Sequence, residues 1–158
     1  MKEIFDSKDL VSELVPHKGK MLLLDRVRDY DLKENSITTE IDICRNNLFY
    51  EDELGGVPVW VAFEYMAQSV SALSGICGRA KGEKPKTGFI MSVSGFKADV
   101  PVFKEGETVV VNVLENIRMD NAVTFEGSAT VNGTLAVTTK LNTVEVDDPK
   151  NSLNMNGF

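Results

Sequence analysis

The sequence predicts an α+β domain in which one long central helix is wrapped by a curved antiparallel sheet. Three observations carry this. Between Glu53 and Arg79 the only formally charged residue is Glu64, so the stretch PVWVAFEYMAQSVSALSGICG, Pro58 to Gly78, reads as a helix apolar over most of its circumference. Alternating, β-branched segments fill the chain on both sides of it. Asn132-Gly133, between two such segments, is a strong two-residue hairpin signal. A single helix of this kind must be enclosed, and one curved sheet can enclose it. The edges of that sheet call for pairing, so a dimer with a continuous sheet is expected.

The helix is the informative element. Pro58 suits its first turn and Gly78 lies near its end. At about 100° per residue, Phe63, Met66, Val70, Leu73 and Cys77 make an apolar stripe, with Trp60, Glu64, Gln68, Ser71 and Gly75 nearly opposite. Glu64 and Gln68 are one turn apart, which sets their side chains side by side. A carboxyl enclosed by apolar neighbours is the environment a general acid or base requires. The alternative is a structural Glu that caps a loop or reaches solvent. A membrane span needs about 20 mostly apolar residues. Glu64, Gln68, Ser69, Ser71 and Ser74, with no Lys or Arg cluster at a flank, argue for a buried helix instead.

The other elements follow in order. Asp6 or Ser7 can cap a short helix to about Leu14, stopped by Pro16. A loop then feeds a strand expected from near Met21. Ser36 to Cys44 alternates, with Ile37, Thr39, Ile41 and Ile43 on one face. Residues 45–57 are irregular, with a Gly55-Gly56 pair, and form a candidate pocket wall. Ala80 to Lys86 is a loop. Strands are expected over Thr87–Val100, with Pro101 as a bend, then Thr108–Ile117, the Val123–Val131 segment, and Thr134 to about Val146. Residues 1–146 are read as a single domain and 147–158 as a flexible tail.

At 158 residues and a net charge of −7, the chain has enough length for a sizeable core and a charge that argues against nucleic-acid binding. Cys44 and Cys77 are isolated, without metal-ligand spacing, and read as buried free thiols in a reducing cytosol. The amino terminus, MKEIFDSKDLVSEL, has no continuous apolar core and no cleavage site, so a cytoplasmic location without a secretory signal is expected.

Three segments resemble a known family. VPHKGKMLLLDRV looks like the approach to the first strand in hotdog-fold β-hydroxyacyl-[acyl-carrier-protein] dehydratases. VPVWVAFEYMAQSVSALSG is similar to their central helix, with the Glu-x-Met-Ala-Gln signature at Glu64 to Gln68. FKADVPVFKEGETV resembles the strand-turn-strand that follows. The likeness spans about residues 10–146 and is nearest the branch associated with aryl-polyene biosynthesis. It implies a hotdog fold and the removal of water from 3-hydroxyacyl thioesters held on acyl-carrier protein, with no cofactor and no metal. It also implies Glu64 as the catalytic acid, Gln68 beside it as a substrate-binding residue, and N–H groups near Val59 and Trp60 that receive the thioester carbonyl.

One departure qualifies this. The family's loop histidine lies in a Gly-His-Phe-Pro-Gly run fourteen residues before the acid, and that position here is Tyr50. A phenol with an ordinary pKa near 10 is a poor base. The only histidine is His17, open to three readings: a structural loop residue, a substitute base, or a contact to carrier or partner. Three functions therefore stand: a dehydratase or dehydratase-type subunit, a hotdog acyl thioesterase, and a non-catalytic partner of a histidine-bearing homologue, in a homodimer or heterodimer.

Overall fold

The computed structural model describes residues 2–84 and 87–146. Helix α1, Lys8–Val11, is capped by Ser7, whose side chain accepts from the Leu10 N–H. It is shorter than expected, because turns replace helix after Val11. A 3-10 turn, Gly19–Met21, occupies the place where a strand was expected to begin. Leu22, Leu23 and Leu24 are buried, yet strand β1 starts only at Arg26 and runs to Asp31. The apolar run marked burial correctly, but burial alone does not make ladder hydrogen bonds.

Strand β2 is Ser36–Asp42, and a short β3, Gly56–Pro58, precedes the helix. A 3-10 turn, Val59–Val61, leads into α2, Ala62–Lys81, the longest element. Then come β4 (Thr87–Ala98), β5 (Val102–Lys104), β6 (Thr108–Met119), β7 (Ala122–Val131) and β8 (Thr134–Val146). Six strands form one antiparallel sheet in the order β1-β2-β6-β7-β8-β4, and β3 pairs with β5 separately. That small ladder was not expected: three residues are too few to show alternation. It ties the residues just before α2 to β5. Asn132 and Gly133 both have positive φ, 52° and 76°, as the type I′ hairpin between β7 and β8 requires. Pro85, Lys86 and the tail from 147 on, expected as loop and flexible end, lie outside the described residues.

The alternating residues of β2 and β6–β8 turn inward, with Ile37, Ile41, Val109, Val111, Val113, Phe125 and Leu141 meeting Tyr65, Met66 and Leu73 of α2. The buried face of the helix differs from the expected stripe. Ala62, Tyr65, Met66, Ser69, Ala72, Leu73 and Ile76 face the core, while Phe63, Val70 and Cys77 are only half-buried. The core-facing side is thus rotated by about a quarter turn at 100° per residue. Small residues let the backbones approach. A methyl on Gly75 would collide with the Leu14 carbonyl oxygen, and one on Gly127 would sit 2.6 Å from the Met66 sulfur.

One sheet edge differs from the other. Along β1, Val27 is bridged by Phe5. Strand β4 has β8 on one side and no strand among the described residues on the other. It exposes Phe89, Met91, Val93 and Phe96.

Gly75→Ala is expected to destabilise the fold by about 1–3 kcal/mol, since the new methyl meets rigid backbone. Urea unfolding measures it, and a variant as stable as the parent would show that the Leu14 segment is free to move.

Candidate functional site

The start of α2 is open. Pro58 precedes the 3-10 turn without a side-chain cap, and Val61 offers none to α2. The early N–H groups of the helix therefore meet no capping side chain, at the end where the helix dipole favours negative charge. The Val59 N–H is an exception, because it donates to the Pro101 carbonyl at 3.0 Å. Trp60 is 52% exposed and stands edge-on to Phe49, with ring centroids 5.5 Å apart. Glu64 follows one turn later. It is half-buried and makes no hydrogen bond or ion pair with the described residues.

Gln68 is buried and fully engaged. Its Oε1 accepts from the Leu23 N–H at 2.8 Å, and its Nε2 donates to the Met21 carbonyl at 2.8 Å. The amide thus replaces the ladder partners that the 21–24 segment lacks, although the residue lies one turn from Glu64.

Neither candidate base is hydrogen-bonded to the acid. The Tyr50 hydroxyl donates to Glu105 Oε2 at 3.0 Å, and desolvation followed by that carboxylate pushes the phenol above its ordinary value. His17 is half-buried, with Nδ1 enclosed and without a partner. It lines a cavity of about 1050 Å³ between the C-terminal part of α2, β4 and the ends of β6 to β8. Ala67, Ser71, Ser74 and Gly78 line the cavity's helical wall together with Val70, Leu73, Cys77 and Lys81, and Glu64, Gln68, Trp60 and Tyr50 are not among its lining residues. Sequence reading missed this wall. The line of small residues at spacings of three and four was its signal, because small side chains on one helix face leave space.

Among the described residues no cluster of three or more His, Cys, Asp or Glu could hold a metal ion. No described helix is long and apolar enough to cross a membrane.

Residues 10–154 match the family model of ApeP-like proteins, described as the ApeP dehydratase. The chain belongs to the ApeP-like dehydratase family. The 3-hydroxyacyl-[acyl-carrier-protein] dehydratase FabZ of Methylobacterium radiotolerans is 26% identical over 139 residues, covering 86% of this chain and 87% of that one. FabZ of Chlamydia trachomatis serovar L2 is 26% identical over 104 residues, 64% of this chain and 67% of the relative. Among solved structures, the dehydratase heterocomplex ApeI:P of Xenorhabdus doucetiae superposes with a TM-score of 0.81 at 24% identity, over 92% of this chain and 95% of that one. A hypothetical thioesterase with coenzyme A from Streptococcus pneumoniae reaches a TM-score of 0.60 at 7% identity, over 77% and 85% of the two chains. The architecture is the hotdog fold, as the resemblance implied. This chain carries Glu64 on the central helix and Tyr50 fourteen residues before it.

Gln68→Met should destabilise the protein by about 2–4 kcal/mol, because it orphans the buried Leu23 N–H and the part-buried Met21 carbonyl at once. Thermal and urea unfolding read this directly. A loss below 1 kcal/mol would mean that water replaces the amide.

Proposed function

We propose that this chain is the Glu64-bearing subunit of a 3-hydroxyacyl-[acyl-carrier-protein] dehydratase, working in a dimer with a histidine-bearing homologue. The observation that carries the reading is the solitary position of Glu64. It stands on the central helix beside open N–H groups, with Tyr50 bound to Glu105 and His17 on the wall of a cavity that Glu64 does not line.

Dehydration needs two proton transfers. A base takes the proton from C2, the released electron pair forms the C2–C3 double bond, and the C3–O bond breaks. The hydroxyl leaves as water with a proton from the acid. Glu64 supplies that second proton. Trp60 bounds the site, and the Trp60 N–H at the helix start polarises the thioester carbonyl as negative charge builds on it. Gln68 serves by fixing the 21–24 segment against the helix rather than by touching the acyl group. The base comes from the partner.

The exposed β4 edge supports a partner of the same fold, since an apolar edge strand is a template for another sheet. The solved relative described as a heterocomplex of two dehydratases supports a non-identical one. The acyl-carrier protein enters the proposal from the FabZ relatives, and the pathway, fatty-acid or aryl-polyene-like polyketide synthesis, from the family. Both cysteines are free, with Cys44 exposed and Cys77 half-buried where burial was expected, and free thiols suit a cytoplasmic home. In the thioesterase reading Glu64 would instead activate water against the same thioester, and solved structures of the same fold include a hypothetical thioesterase with coenzyme A.

Mass spectrometry of 3-hydroxyacyl, enoyl and free carrier protein separates these readings. The chain alone is expected to leave 3-hydroxyacyl thioester unchanged, and the mixture with a histidine-bearing homologue to form the enoyl product. Release of free acid by the chain alone would establish the thioesterase instead. In the active mixture, Glu64→Gln should lower turnover by about two to four orders of magnitude. Met91→Lys, on the free edge, should weaken assembly at least about tenfold by light scattering. An intact assembly would locate the interface elsewhere.

A further inference from the structure

Between the end of β2 at Asp42 and the start of β3 at Gly56 the chain runs without helix or named strand, and residues 45–50 form an arch on that path. Its own bonds are local. The Asn47 side chain accepts from the Cys44 N–H at 2.8 Å, and the Tyr50 N–H donates to the Asn47 carbonyl at 3.1 Å. Among the described residues, every hydrogen bond or ion pair from 45–50 to chain outside 44–50 ends on one atom, Glu105 Oε2. The Tyr50 hydroxyl donates to it at 3.0 Å and the Arg45 Nε at 3.3 Å. Glu105 is itself anchored, because its N–H donates to the Gly55 carbonyl at 3.0 Å and the Gly106 N–H to the Ile43 carbonyl at 2.9 Å. One carboxylate thus gathers both ends of the arch onto the turn between β5 and β6.

The side chains of Arg45 and Glu105 are 74% and 48% exposed, and a pair this open adds little to global stability. Its effect is local. Phe49, beside Tyr50 in sequence, is half-buried and meets the Trp60 ring edge-on. Such contacts are directional, so where the arch holds Phe49 decides where the indole stands. Trp60 makes no other ring contact among the described residues.

We propose that Glu105 is a positioning residue for thioester binding: through Tyr50 and Arg45 it holds Phe49 against Trp60, and so keeps the indole as a wall for the substrate arm at the start of α2. The inference rests on reading Glu64 and the neighbouring helix-start N–H as the dehydratase site. Glu105 touches neither the substrate nor the reacting atoms, and Tyr50 serves as a tie instead of a base. An apolar wall binds substrate and transition state alike, so displacing it raises KM and spares kcat.

Trp60 is the chain's single tryptophan and therefore its own reporter. Acrylamide quenching of its fluorescence, measured on the full chain, should rise about twofold in Glu105→Ala and in Phe49→Ala, as the half-exposed indole loses its cover. The double variant should quench no more than Phe49→Ala, since a contact already lost cannot be lost again. Glu105→Gln keeps an oxygen acceptor for the Tyr50 hydroxyl and should stay close to the parent. Circular dichroism checks that each variant is folded. In the complex with the histidine-bearing homologue, Glu105→Ala should raise KM for 3-hydroxybutyryl carrier protein about fivefold, the yield of one hydrogen bond. Its kcat should change by less than about twofold, the mark of lost binding as opposed to lost chemistry. Unchanged quenching in Glu105→Ala would overturn the inference, as would effects of the two alanine variants that add in full, or a fall in kcat at constant KM. Turnover lost in Glu64→Gln but a KM indifferent to residue 105 sinks the inference and leaves the dehydratase reading standing. A mixture that forms no enoyl product overturns both.

Discussion

Helix α2 lies so close to the preceding chain that position 75 has no room for a methyl beside the Leu14 carbonyl oxygen. That approach is held by one side chain, the buried Gln68 amide, which meets the Met21 carbonyl and the Leu23 N–H together. Without it, the buried Leu23 N–H and the part-buried Met21 carbonyl would both lose their partner. The arrangement fixes the segment from Leu14 to Leu24 against the helix, and with it His17. It also sets the rotation of the helix about its own axis. The same rotation carries Ser69 to Thr39 on β2, their hydroxyls 2.8 Å apart, and turns Ala67, Ser71 and Ser74 towards the cavity.

The strands were legible because period-two alternation survives in any sheet with one buried face. Ile37, Thr39 and Ile41 on β2, and Val123, Phe125, Gly127 and Ala129 on β7, are buried as their spacing implies. The helix was legible in extent but not in orientation. Its apolar stripe was read from residue size, whereas close packing selected Ala62, Ser69 and Ala72 on the sheet side and Gly75 against the Leu14 backbone. Larger residues, Phe63, Val70 and Cys77, were left at the rim. The pairing of β3 with β5 could not be read, since register between two three-residue segments leaves no periodic trace. The acidic position was legible as a solitary charge in an apolar run. Its surroundings were not, because the partner of Gln68 lies 45 residues away in sequence and is backbone.

The Asp-Arg pair that closes the first apolar run shows the same limit. Arg26 joins Glu40 at 2.6 Å and both Asp42 oxygens at 2.8 and 2.9 Å, while Asp25 accepts the Asp42 N–H at 2.7 Å. Thr108 donates to Asp42 as well, so the pair ties β1 to β2 and β6 at the end of the sheet. The hydrogen-bonded guanidinium holds Asp42 below the usual carboxylate value. A motif that reads as a family mark is here a corner bracket.

The unpaired edge of β4 also bears on how the protein is made. An exposed row of main-chain donors and acceptors flanked by Phe89, Met91, Val93 and Phe96 is sticky towards any similar strand. If a homologue normally covers it, a copy synthesised in excess pairs with another copy of itself or aggregates. Balanced supply of the two chains then becomes a requirement written into the surface of this one. Neighbouring coding or coupled translation would meet that requirement more simply than any redesign of the strand, whose stickiness would, in the proposed heterodimer, also recruit the partner.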